Sequence, residues 1–215
     1  LTGTQFDAML SEQLEVLTTA QIGALSTGAL AALSASDITT FSTTQVKALT
    51  STQLPNLTTA QLANFSTTQV AALGTDQLSS FTTTQMNALT GDQLKALTNN
   101  QVANLTTTAL SSLSNAKLAN LTSSQVSALT TEQIPSMLTS QVAALSSAQI
   151  GGLDSSQLRA LTTAQLAALT TDQLPSMSAT QIQSLSVGQV GLLSTDQLSS
   201  LTAAEITAMS STQII

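Results

Sequence analysis

Eleven Asp and Glu residues are the side chains of this sequence best able to move a proton or hold a cation. Their arrangement fits neither task well. There is no Asp-x-Asp pair and no Gly-Gly-x-Gly-x-Asp loop of the kind that gathers oxygen ligands around calcium. The one regularity is a forty-residue spacing of Asp92, Glu132 and Asp172. Those three would converge on a cation only if the backbone stacks residues forty apart; otherwise they are solvated acids at helix starts, where the dipole favours them, as Asp76 and Asp196 would be.

His and Cys are absent. Ser-His-Asp and Cys-His catalysis therefore lack a base and a nucleophile, and zinc and haem sites lack their usual ligands. Met could ligate haem, but Met9, Met137, Met177 and Met209 fall where other copies of the repeat carry Leu, which makes them core filler. The expectation is a protein without catalysis, cofactor or small-molecule substrate.

The remaining residues with recurrent polar chemistry are Ser, Thr and Gln, and their spacing defines the elements that carry them. Every residue at 1, 9, 17 and onward to 209 is Leu, Met or Phe, and every residue at 6, 14, 22 and onward to 214 is apolar. The period is eight, with no insertion or deletion, over about 27 copies. Position two of the octad is Ser or Thr in 23 of 27 copies, and position five is Gln in 22 of 27. Ser/Thr followed three residues later by Gln is a capping box: each side chain satisfies a backbone donor beside the other. Leu17, Thr18, Gln21 and Ile22 read as N′, N-cap, N3 and N4 of a helix, with the apolar pair as its hydrophobic staple. By the same reading, Thr50 with Gln53 and Thr162 with Gln165 are caps. Leu49 and Leu54, Leu97 and Val102, and Leu161 and Leu166 are paired core positions.

One uninterrupted helix is excluded by its geometry. Eight residues at about 100° each advance the apolar stripe about 80° per repeat, so it faces no fixed side. Nor is the period near the 3.5 or 3.67 that a coiled coil needs. A β-solenoid suits the Thr content, but positions one and six differ by an odd number and would point to opposite faces of a strand without a corner in every octad. The spacing thus predicts an all-α solenoid of very short helices, one per octad and about five or six residues long, with a β-solenoid as the alternative. Residues 1–215 form a single array, read as a fragment of a longer one. A helix this short is unstable alone, so octads must stack, each buried Leu contributing about 1.5 to 3 kcal/mol before entropy.

A longer period also shows. Pro55, Pro135 and Pro175 share position seven, and Phe41 and Phe81 also lie forty residues apart. Either a five-octad block was duplicated, or five octads make one superhelical turn; the second predicts contacts between residues about forty apart. Proline at position seven costs a helix a hydrogen bond. The helix therefore ends near position six in those octads, or kinks there.

Charged residues make up 7% of the chain, and the net charge is −7. Lys47, Lys95, Lys117 and Arg159 are too scattered to neutralise a run of phosphates, which excludes nucleic acid as a partner. No stretch approaches the roughly 20 apolar residues of a membrane span. Four Asn-x-Ser/Thr sequons, at Asn56, Asn64, Asn104 and Asn120, arise wherever Asn precedes the fixed Leu-Thr. Regular Thr could also suit an ice-binding face, but position two exchanges Thr freely for Ser.

The octads Leu161-Thr-Thr-Ala-Gln-Leu-Ala-Ala and Leu169-Thr-Thr-Asp-Gln-Leu resemble the tandem Leu-Thr-x-x-Gln arrays of very large bacterial surface or secreted proteins, some with adhesin-like names. That resemblance covers the whole chain and implies an extracellular stalk, adhesin or filament. The first and last octads follow the consensus and neither reads as a polar cap. The array is expected to continue or to dock on another copy, as a self-associating filament or stalk module, while a passive spacer that presents a domain elsewhere is the alternative.

Overall fold

A computed structural model of the chain describes residues 3–214. Among them are 23 short α-helices and four 3-10 helices, one element per octad, and no strand. The all-α expectation holds, and the β-solenoid alternative does not.

Each octad folds as its cap residues dictate. In the helix Thr19–Gly23, Thr18 is extended at φ −71°, ψ 160°. Its Oγ1 accepts the Gln21 N–H at 3.3 Å, while Gln21 Oε1 accepts the Thr18 N–H at 2.8 Å. Two of the donors orphaned at a helix start are thus satisfied locally. The helices run four to six residues, about 6 to 9 Å at 1.5 Å per residue. They close with a tightened bond from the next position-one N–H to the position-six carbonyl, as from Leu33 to Leu30 at 3.3 Å. Position one is then extended, as at Leu49 (φ −63°, ψ 132°), and the next N-cap follows. No described residue has a positive φ. The bend needs no left-handed residue, so the repeat carries no obligatory glycine.

The chain divides into two compact units, Leu1–Leu113 and Ser114–Ile215, each described by itself. Within each, a helix packs against the one three octads further on. Thr59–Ala63 meets Thr83–Ala88 in the first unit, and Ala179–Ser184 meets Ala203–Ala208 in the second. Of the two readings of the forty-residue period, this rules out five octads per turn. Three to four octads, not five, complete a turn, and the forty-residue period is left to duplication. Position six points to the centre of the stack: Leu62, Val70, Leu94 and Leu166 are all fully buried. Position one closes the core beside it, with Leu57, Phe65 and Leu169 buried.

The prolines neither end a helix near position six nor kink one, as the sequence suggested; they replace the α-turn by a 3-10 turn that begins at position six and contains them. Their octads contain the 3-10 helices Leu54–Asn56, Ile134–Ser136 and Leu174–Ser176, with proline in the first turn, where its missing N–H costs nothing. The cap survives even so. Thr50 N–H still donates to Gln53 Oε1 at 2.7 Å. A fourth 3-10 helix, Asp37–Thr40, has Asp in place of Gln, and this shorter side chain accepts from Ser34 N–H at 3.1 Å.

Candidate functional site: a buried glutamine ladder

The residues singled out from the sequence lie in the short helices expected of them, except that Thr50, Gln53 and Leu54 belong to a turn and the 3-10 helix Leu54–Asn56 rather than to an α-helix. Ile22, Leu49, Leu54, Leu97, Val102, Leu161 and Leu166 are buried. Leu17, in the first turn, is half-buried. The three named cap pairs all form, and Thr162 with Gln165 repeats the Thr18 with Gln21 geometry at 3.2 and 2.8 Å.

The glutamines do more than cap. From Gln45 onward those at position five are buried; Gln61 is 2% exposed and Gln141 is 0%. The reason lies in the other end of the amide. Gln61 Nε2 donates to the carbonyls of Leu30 at 2.8 Å and Leu33 at 2.7 Å, 31 and 28 residues back. Gln93 repeats this on Leu62 and Phe65, and Gln101 on Val70 and Leu73. In the second unit Gln165 bonds Ile134 and Met137, and Gln173 bonds Val142 and Leu145. One amide therefore holds three main-chain groups. Its oxygen takes the N-cap N–H of its own octad, and its nitrogen takes a position-six and a position-one carbonyl from the preceding turn. The position-one carbonyl sits at the bend, where no helical N–H reaches it. Burial without a partner would cost about 1 to 3 kcal/mol.

Sequence reasoning assigned glutamine to capping and missed this second role. One signal was available: a capping box accepts Glu as readily as Gln, yet position five is Glu only at Glu205. The preference points to a need for the NH2 group. The converse also holds. Where the Ser/Thr is missing, at Leu10, Gly74 and Leu138, the Gln half of the cap persists, with Oε1 accepting from those N–H groups at 2.9, 2.7 and 2.7 Å. Where Gln is missing, at Ala29 and Ala109, the hydroxyl half persists.

The remaining candidates have structural roles or stand apart. Asp92, Glu132 and Asp172 are exposed. Glu132 and Asp172 lie in octads whose packing partners are three octads away, so the conditional convergence on a cation does not form and the reading as solvated acids stands. Among the described residues no three His, Cys, Asp or Glu side chains are close enough to hold a metal, and no helix is long and apolar enough to cross a membrane. The sequon asparagines stitch helix ends: Nδ2 of Asn56, Asn64, Asn104 and Asn120 each donates to the carbonyl four residues earlier, at 2.8 to 2.9 Å. A thinner seam of bonds joins turns on the outside, as from Asn87 Nδ2 to the Ser112 carbonyl at 2.7 Å and from Arg159 Nε to the Ser184 carbonyl at 2.6 Å.

The chain is similar to a family described as the ALTTAQ repeat, whose model matches residues 56–83, 142–179 and 152–187. These stretches fall in both units and overlap in the second, as tandem copies do. No match to a curated protein was found.

Proposed function

We propose that this chain is a structural, self-associating repeat module that builds a filament, stalk or surface layer outside a bacterial cell. The glutamine ladder carries the reading. It binds turns together through main-chain carbonyls, which every octad offers, so one turn is a template for any other. Two further features support it. The polar chemistry of positions two and five is consumed in holding the backbone, and amides and hydroxyls held in this way bind by hydrogen bonding rather than by proton transfer. The charge is also low, so little repulsion opposes close packing of copies. The extracellular setting rests on the resemblance of the Leu161 and Leu169 octads to arrays in bacterial surface proteins.

Electron microscopy of the purified chain tests the proposal. Ordered fibres or sheets are expected. Monodisperse short particles at high concentration would instead make it a passive spacer. Saturable binding to a surface or carbohydrate without polymerisation would make it an adhesive face.

A further inference from the structure

One rung of the ladder is built with a carboxylate. Glu205 occupies position five and is 3% exposed, as deep as the amides on either side, Gln197 and Gln213, at 4 and 9%. Its Oε2 makes the capping bond, accepting Thr202 N–H at 2.6 Å. The other oxygen then stands where its neighbours carry NH2. Gln197 Nε2 lies 3.2, 3.4 and 2.8 Å from the carbonyl oxygens of Leu166, Ala167 and Leu169. Gln213 Nε2 lies 3.4, 3.3 and 2.7 Å from those of Ile182, Gln183 and Leu185. The same register, 31, 30 and 28 residues back, sets Glu205 Oε1 before the carbonyls of Leu174, Pro175 and Met177, and the packing of Ala203–Ala208 on Ala179–Ser184 agrees with it. Nothing replaces the missing donor. The carbonyl of Met177, a residue 3% exposed, accepts no hydrogen bond among the described residues, and Glu205 has no basic partner there.

Four oxygens, one of them charged, thus converge with no hydrogen between them. A buried charge without a partner is costly, and so is a buried carbonyl without a donor. A cation among these oxygens removes both costs. One carboxylate and several main-chain carbonyls suit calcium, which takes six to eight oxygens at about 2.3 to 2.6 Å in a flexible geometry; magnesium demands a near-ideal octahedron. Water can complete the shell. Among the described residues no side-chain oxygen or nitrogen sealed from solvent lacks a partner, so the free oxygen of Glu205 keeps contact with solvent, beside the exposed Thr202.

We infer that Glu205 and the carbonyls of Leu174, Pro175 and Met177 form a calcium site, in which the ion bridges two turns of the second unit as an amide does in the other rungs. The inference stands apart from self-association. A single carboxylate places the affinity in the weak range, about 10⁻⁴ to 10⁻³ M.

The test compares the 215-residue chain with Glu205→Gln, a variant that restores the consensus rung and so keeps the fold. Urea unfolding is followed in buffer freed of divalent cations, then with calcium or magnesium added. Without calcium the variant is the more stable of the two. Calcium at about 10 mM should lower the unfolding constant of the wild type about tenfold to a hundredfold, leave that of Glu205→Gln unchanged, and act more strongly than magnesium. Titration calorimetry should find one calcium site per chain in the wild type and lose it in the variant. An equal response in both proteins would place the binding elsewhere on an acidic chain and overturn the site. A wild type indifferent to calcium at about 10 mM would overturn it as well, and magnesium acting as strongly as calcium would overturn the assignment of the ion.

Discussion

Replacing Gln61 by Glu separates the two roles of the ladder. The substitution preserves volume and the capping oxygen that accepts Thr58 N–H at 2.8 Å. What it removes is the NH2 donor, placing a carboxylate oxygen where Nε2 lies 2.8 Å from the Leu30 carbonyl and 2.7 Å from the Leu33 carbonyl. Leu30 O keeps its bond from Leu33 N–H at 3.3 Å, so its loss is that of one net hydrogen bond, about 0.5 to 1.5 kcal/mol. Leu33 O is left buried with no donor, at about 1 to 3 kcal/mol. Together these give a destabilisation of about 1.5 to 4.5 kcal/mol before any repulsion between oxygens is counted. Thr58→Ala removes only the hydroxyl half of the cap, worth about 1 kcal/mol. The assay is urea denaturation followed by far-ultraviolet circular dichroism at about pH 8, well above ordinary carboxylate values. Amide exchange across residues 28–36 localises the effect, since a lesion in a stacked array acts on its neighbours first. If glutamine served capping alone, Gln61→Glu would be nearly neutral and milder than Thr58→Ala. A Gln61→Glu protein within about 0.5 kcal/mol of wild type, with unchanged exchange at Leu33 and its neighbours, would refute the ladder.

Three further outcomes follow from the same geometry. Glu205 is buried, and its Oε2 accepts Thr202 N–H at 2.6 Å, but it cannot donate to the Leu174 and Met177 carbonyls that its register assigns it. Glu205→Gln should therefore stabilise the second unit by about 1 to 2 kcal/mol, and a lowered urea midpoint would contradict this. Leu138 stands at an N-cap with its side chain 54% exposed, so Leu138→Thr should restore the hydroxyl bond to Gln141 N–H and add about 1 kcal/mol in thermal unfolding. At Gly151 a Cβ would sit 2.6 Å from the Ser176 carbonyl, against 3.4 Å from the Ala48 carbonyl at Gly23. Gly151→Ala should cost about 1 to 3 kcal/mol where Gly23→Ala is neutral or better, an order that parallel melts would expose if reversed.

Local structure was legible in the sequence in all but the four 3-10 octads, because it depends on residues three or four apart. Thr18, Gln21 and the staple of Leu17 on Ile22 define a helix start without reference to anything distant. The number of octads per turn was not legible in that way, since it depends on how Leu62 and its counterparts nest against helices 24 residues away. Pro55, Pro135 and Pro175 suggested forty because they are conspicuous. Their effect is confined to converting an α-turn into a 3-10 turn, and they do not mark where turns meet. The second bond of Gln61 was hidden for the same reason as the turn size, its partners being 28 and 31 residues away. Only the near absence of Glu at position five hinted at it.

Because the amide of each ladder glutamine grips main chain rather than side chain, the joint is blind to which octad supplies it. A five-octad block, such as the one behind the forty-residue echo of the prolines, is not a whole number of turns. Inserting it still leaves each Gln a bend to hold, because the bend it finds has the same two carbonyls as the one it lost. Gene duplication or deletion in steps of one octad can thus lengthen or shorten such an array without compensating mutations, making reach a freely adjustable property of the fold.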